Sequence, residues 1–452
     1  VNLAAEEGIA ATTAAATLSV INGATAGAIT ITEADAVSVS GSNAFATGAV
    51  SITTTDGSIT VNATNLSSTN GVITLTANDA SAADNATPAG ITVTGTITSG
   101  GGAINLVAAD DIAVNAAVNA TAGTVTITAD SAAQDTFADT DGAITGAGLV
   151  TGGTVNLAAE EGIAATTAAA TLTFSNTTND VQVSNTLAGG VTVSGTNAGT
   201  GAVTITETAG NLTVGGGDIT TNSGVVTLTA SGADKSITAA AGSDVVTTGG
   251  ATAGAAITLK ADNMSLAGAI TAGTGLVTLT PNADAQGIQV GTGAVDDAVT
   301  LGLTAVELNL ITTSGGVTIG STTNDGGITV VGAANLTTSG TITGGTLTLR
   351  QDAGSIAVND TLTSPIATTA NTTSGNITFD PDGAVTAAGL TVTLTATGGN
   401  IEGDAAAFTN VTASTLNATA SSGIGNTNAL ETNVATLSVI NGATAGAITI
   451  TE

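Results

Sequence analysis

The sequence predicts an all-β chain folded as a right-handed parallel β-helix, with about 20 residues per coil. Three observations lead there. Short alternating strands recur behind a glycine, the apolar residues are almost all small or branched, and two long segments repeat verbatim.

The strands come first. Gly27 opens AITIT, Gly48 opens AVSIT, Gly71 opens VITLT, Gly102 opens AINLV and Gly123 opens TVTIT. The series continues behind Gly153, Gly190, Gly201, Gly224, Gly275, Gly345 and Gly389. Each alternates with period two: in Val125-Thr126-Ile127-Thr128 the β-branched apolar residues can point inward and the threonines outward. Gly, Asn and Asp between strands supply the left-handed corners that a coil needs. The Ala-rich stretch AAEEGIAATTAAATL is interrupted by glycine and threonines and reads as a coil turn plus strand. The four prolines, Pro88, Pro281, Pro365 and Pro381, all sit in loop-like surroundings.

Composition fits a narrow interior. The chain has 61 glycines, five phenylalanines, one methionine, and no Trp, Tyr, His or Cys. A broad two-layer core draws on aromatic bulk that is missing here. A thin stack filled by Val, Ile, Leu and Ala does not need it. Phe45, Phe137, Phe174, Phe379 and Phe408 are expected as core or corner plugs.

The verbatim repeats set the organisation. Val1–Leu18 recurs as Val155–Leu172, and Ala16–Glu33 recurs as Ala435–Glu452. They predict one continuous solenoid over residues 1–452, a stretch of a longer repetitive array. Copies of itself, or flanking repeats of the same chain, are the expected partners.

Charge excludes several functions. The formal net charge is -31, with Lys235, Lys260 and Arg350 the only basic side chains. Nucleic-acid binding needs a Lys/Arg footprint that this chain lacks. No apolar run approaches the roughly 20 residues of a membrane-spanning helix, so no membrane insertion is expected. Without His and Cys, triads and thiol chemistry are absent, and the chain is read as a non-enzyme. A polysaccharide-active β-helix ranks below the structural reading, because clustered cations and aromatic platforms are missing.

Acidic turns are the candidate metal sites. Asp139-Thr140-Asp141-Gly142, Asp380-Pro381-Asp382-Gly383 and Asn324-Asp325-Gly326 are oxygen-rich turns of the kind Ca²⁺ prefers, with Ca²⁺ the one candidate cofactor. Asp110-Asp111 and Asp296-Asp297 add paired carboxylates. The competing reading is that these residues simply make corners and solubilise them. Thr-x-Thr pairs such as Thr126/Thr128, Thr227/Thr229 and Thr278/Thr280 suggest outward threonine ladders, but their irregular sequence spacing argues against a regular array.

The cassette G-x-V-T-L-T-A, followed by D-I and a second short strand, runs from Gly102 to Asp130 and again from Ile257 to Thr280. It resembles the filamentous haemagglutinin-like repeats of large exported bacterial adhesins. The stretch Gly423–Val439 is similar to an element of giant β-strand-repeat surface proteins. This resemblance implies a secreted or cell-surface location and a role as fibre or filament, biofilm-matrix component, or adhesin for glycans or cell surfaces.

Overall fold

The computed structural model describes residues 1–80, 89–135, 142–247, 253–338, 340–406, 408–442 and 444–452. Among them are 44 strands and one helical turn, Ala305–Leu308. The chain is all-β, and its strands pair in parallel. It falls into two compact units, Val1–Gly210 and Asn211–Glu452.

In the first unit, one buried row runs Ile9, Ile29, Val50, Ile73, Ile104, Val125, Val155, Leu172, Val193, each opposite the next. From Ile29 onward every member is at most 3% exposed. Fully burying such a side chain contributes about 1.5–3 kcal/mol, so the row is the spine of the unit. A second row, Ile31, Ile52, Leu75, Leu106, Ile127, Leu157 and Phe174, lies two residues further along the same strands. Phe174 is accommodated by the next rung, where its partner is Gly195. A Cβ at Gly195 would lie 2.5 Å from the Phe174 ring, so glycine leaves the space that the ring fills.

Polar side chains stack at the corners. Asn22 donates from Nδ2 to Asn43 Oδ1 at 3.0 Å, and Asn176 does the same to Asn197 at 3.1 Å. Their amides also cap corner backbone: Gly8 N–H donates to Asn22 Oδ1, and Asn22 Nδ2 donates to Ala26 and Gly27 carbonyls. Gly27 takes φ +92° there, and a Cβ would meet the Glu7 carbonyl at 2.3 Å. Buried amides satisfied on several sides fix register as well as stability.

The Ala-rich stretch is strand in both copies: Asn2–Ala5 and Ile9–Thr13 in the first, within Leu149–Ala159 and Ile163–Asn176 in the second. The two copies occupy different rows. Leu3 belongs to the row of Val20, Gly41, Leu66, Ile97, Val118 and Val150. Its sequence twin Leu157 lies instead in the row of Ile52 and Ile127.

In the second unit, Val226, Ile257, Val277, Val317, Leu347, Thr368, Val392, Leu416 and Leu437 form one row. A separate six-stranded sheet carries Ile288, Ile328, Ile356, Ile377 and Ile401 in register. Between them an excursion leads through Thr300–Leu303 into the helical turn. Thr304 caps it: the Glu307 N–H donates to its hydroxyl, while Glu307 accepts from the Thr304 N–H at 2.9 Å. Glu307 also accepts from the Leu266 N–H at 3.0 Å, tying the turn to the neighbouring strand.

Candidate functional site

Two surfaces were open to chemistry on the sequence: the acidic turns and the threonines. Asp139 and Asp141 lie outside the described residues. Asp380 and Asp382 sit on an exposed turn closed by a 2.7 Å bond from the Gly383 N–H to the Asp380 carbonyl. Asp325 is exposed and accepts from the Ala353 N–H at 3.2 Å. Asn324 is 1% exposed, and both ends of its amide are engaged. Its Nδ2 donates to the Asp284 and Gln286 carbonyls at 2.9 and 2.8 Å, and its Oδ1 accepts from Gln351. That makes Asn324 a corner amide of the same kind as Asn22.

The paired carboxylates are also tied to backbone. Asp110 accepts from the Ala89 N–H, and Asp111 from the Ala143 N–H at 2.7 Å. Asp297 accepts from Val299 at 2.9 Å, and Asp296 from Gly302 at 2.7 Å. The Asp296 carboxyl is pushed above its ordinary range, chiefly by desolvation, with the charges of Glu307 and Asp297 adding to the effect. The Gly302 and Met264 N–H groups act against the shift. Among the described residues, no three His, Cys, Asp or Glu side chains gather in a group that could hold a metal ion.

The threonines give the most regular feature. Thr227, Thr258, Thr278, Thr318, Thr348, Thr369 and Thr393 stand directly opposite one another on seven successive rungs. All seven are half-buried, on the face opposite the aliphatic row. At a rung spacing of about 4.8 Å, the row spans roughly 29 Å. The irregular sequence spacing therefore does not break the array. Extra residues, such as those between Thr278 and Thr318, are absorbed in an excursion that holds strands and the helical turn of its own, while strand register is held by the interior. Two of the three cations flank this row: Lys260 follows Thr258 by two residues, and Arg350 follows Thr348 likewise.

A concavity among the described residues lies in the first unit. Two adjoining grooves of about 360 and 380 Å³ share Ala164 and Gln182. Glu161 and Asp180 edge one, and Thr166, Ser184 and Thr206 line the other. Asp180 is held by the Ala202 N–H at 2.8 Å, and Asn179 by donation to the Glu161 carbonyl at 3.0 Å. The described lining has no cation and no aromatic ring. It offers hydroxyls, amides and carboxylates along a shallow trough.

Of the phenylalanines, Phe174 and Phe379 are interior, Phe45 is half-buried, Phe408 is 45% exposed, and Phe137 lies outside the described residues. No helix among the described residues is long and apolar enough to cross a membrane. Neither protein-family models, nor curated proteins, nor solved structures give a match to this chain.

Proposed function

We propose that this chain is a stretch of an extracellular structural fibre of the haemagglutinin-like, β-strand-repeat kind, a stiff spacer with no active site. In this reading its basic unit is a right-handed coil of about 20 residues, with longer steps where loops are inserted. The observation that carries it is the unbroken aliphatic row from Ile9 to Val193, nine rungs bonded each to the next. Such a stack resists bending because every rung shares its backbone hydrogen bonds with both neighbours. Its stability grows with length without needing a larger core. An acidic, hydroxyl-rich exterior suits an exposed filament, since like charge keeps neighbouring filaments apart. Electron microscopy of native material tests the proposal: uniform thin fibres are expected, and compact particles alone would sink it.

The threonine row supports a second reading, a glycan-binding adhesin. Seven hydroxyls at rung spacing, beside Lys260 and Arg350, form a repetitive hydrogen-bonding strip matched to an extended polar polymer. Saturable glycan binding that is lost when Thr318, Thr348 and Thr369 are replaced by Val would favour it.

A further inference from the structure

The exposed turn at Asp380–Gly383 contains the chain's only Asp–Pro peptide, since the other prolines follow Thr87, Thr280 and Ser364. Asp380, Pro381 and Asp382 are exposed, whereas Gly383 and Ala384 are buried. The turn is fixed at both ends. The Asp380 N–H donates to the Val358 carbonyl at 3.0 Å, and the Gly383 N–H donates to the Asp380 carbonyl at 2.7 Å. That second bond falls on the carbonyl that joins Asp380 to Pro381. It polarises the carbon and supplies a donor to the oxyanion that forms when a nucleophile adds there. A side chain at 383 would spoil this, because a Cβ would meet the Val358 carbonyl at 1.9 Å.

The attacking and leaving groups are also in place. Among the described residues no group donates to the Asp380 carboxyl, which stands unengaged beside its own carbonyl. Nearby carboxyls are spent on other groups: Glu402 accepts from the Thr427 N–H at 2.9 Å, and Asp404 from the Asn410 amide at 3.1 Å. The Pro381 nitrogen carries no hydrogen, so its departure breaks no backbone hydrogen bond.

We infer that Asp380–Pro381 is a self-cleavage site, opened in mild acid by the Asp380 carboxyl. A carboxyl oxygen adds to the Asp380 carbonyl carbon and the C–N bond breaks. Its electron pair leaves on the Pro381 nitrogen, which takes a proton from solvent. One water opens the five-membered anhydride left on Asp380, giving two carboxyls there and a secondary amine at Pro381. The sum is hydrolysis of one peptide bond, with no other reagent. The titratable groups on the turn and on the segments bonded to it are Asp360, Asp382, Glu402 and Asp404, all acids. Acid therefore removes negative charge around the attacked carbonyl while supplying the leaving proton. Both cut ends stay anchored. Ile377–Phe379 pairs with Ile356–Val358 and Ile401–Glu402, and Ala384–Ala396 pairs with Ala367–Thr372 and Val411–Ala420. The two pieces remain one stack.

Incubation near pH 5, with products read by mass spectrometry, tests the inference. Pieces Val1–Asp380 and Pro381–Glu452 are expected, formed at least about tenfold faster from the folded chain than from the urea-unfolded one. Asp380→Glu keeps the charge but needs a larger ring, and should slow the cut by at least about tenfold, while Asp382→Asn should leave the rate within about twofold. Parent-like circular dichroism in both variants separates lost chemistry from lost fold. No cleavage, cleavage no faster folded than unfolded, or an undiminished rate in Asp380→Glu overturns the inference. On size exclusion without denaturant the cut protein should elute with the uncut, and separation of the pieces would overturn the claim that the stack survives. These outcomes are independent of the fibre and adhesin readings.

Discussion

Asn185 is the residue at which the corner chemistry can be tested most sharply. It is fully buried, and its Oδ1 accepts from the Thr167 hydroxyl and the Ala169 N–H, both at 2.8 Å. Its Nδ2 donates to the Ala169 carbonyl at 3.2 Å and to Glu207 Oε2 at 2.6 Å. Asn185→Asp keeps the size and both acceptor contacts but turns the donor end into an acceptor. The bond to Glu207 then becomes a repulsion. Two like charges about 4 Å apart at an effective dielectric of about 20 repel by about 4 kcal/mol. The lost charge-assisted bond adds about 1.5–3 kcal/mol. A loss of about 5.5–7 kcal/mol near pH 7 is therefore expected, comparable to the whole stability of a small domain. Near pH 4 a proton shared between the two carboxyls restores a hydrogen bond, and most of the loss should vanish. Adding Glu207→Gln should recover at least half of it near pH 7. Urea unfolding followed by far-UV circular dichroism reads this out, the chain having neither Trp nor Tyr. A variant within about 1 kcal/mol of the parent at neutral pH, or one equally damaged at both pH values, would refute the ladder argument.

Three further outcomes are expected. Leu75→Ala, at a fully buried rung, should cost about 2–5 kcal/mol. Hydrogen exchange should speed up at Val50–Thr54, Ile73–Ala77 and Ile104–Ala108 but not three rungs away, and uniform loosening of the first unit would contradict nearest-neighbour stacking. The Asp296 carboxyl should titrate by NMR above the ordinary value of about 3.9. A raised folded value means that its contribution to stability is present below that ordinary range and fades as pH rises through the folded value, so Asp296→Asn should help near pH 7 and not near pH 3. Calcium at millimolar concentration should shift the melting temperature by less than about 2 °C, because the described carboxylates stand apart or are held by backbone donors; a saturable heat by calorimetry would reverse that expectation.

Much of the fold was legible in the sequence because its signals are local. Behind Gly71 the order Val-Ile-Thr-Leu-Thr is enough to put Ile73 and Leu75 inside and Thr74 and Thr76 outside, and the structure does so. Register across rungs is a different matter. That Thr278 meets Thr318 rather than a nearer threonine depends on how the excursion through Thr300–Leu308 is accommodated, which no short-range pattern reports. The helical turn did carry a signal, Thr304 three residues before Glu307, within an otherwise strand-like stretch. The roles of Asn22, Asn176 and Asn185 were hidden for another reason. Asparagine before a glycine-rich corner reads as turn chemistry, and only the stacked geometry turns it inward onto its counterpart one rung away.

The displaced twins Leu3 and Leu157 carry a consequence for how such a chain can lengthen. The two copies stand in different rows, yet both fold as strand, because either row accepts an alternating small-aliphatic segment. Gene duplication need not respect phase. The repeat of Val1–Leu18 at Val155–Leu172 is one instance: its leucine is accepted in either row, so a duplicated segment of this kind keeps its strand while changing its neighbours.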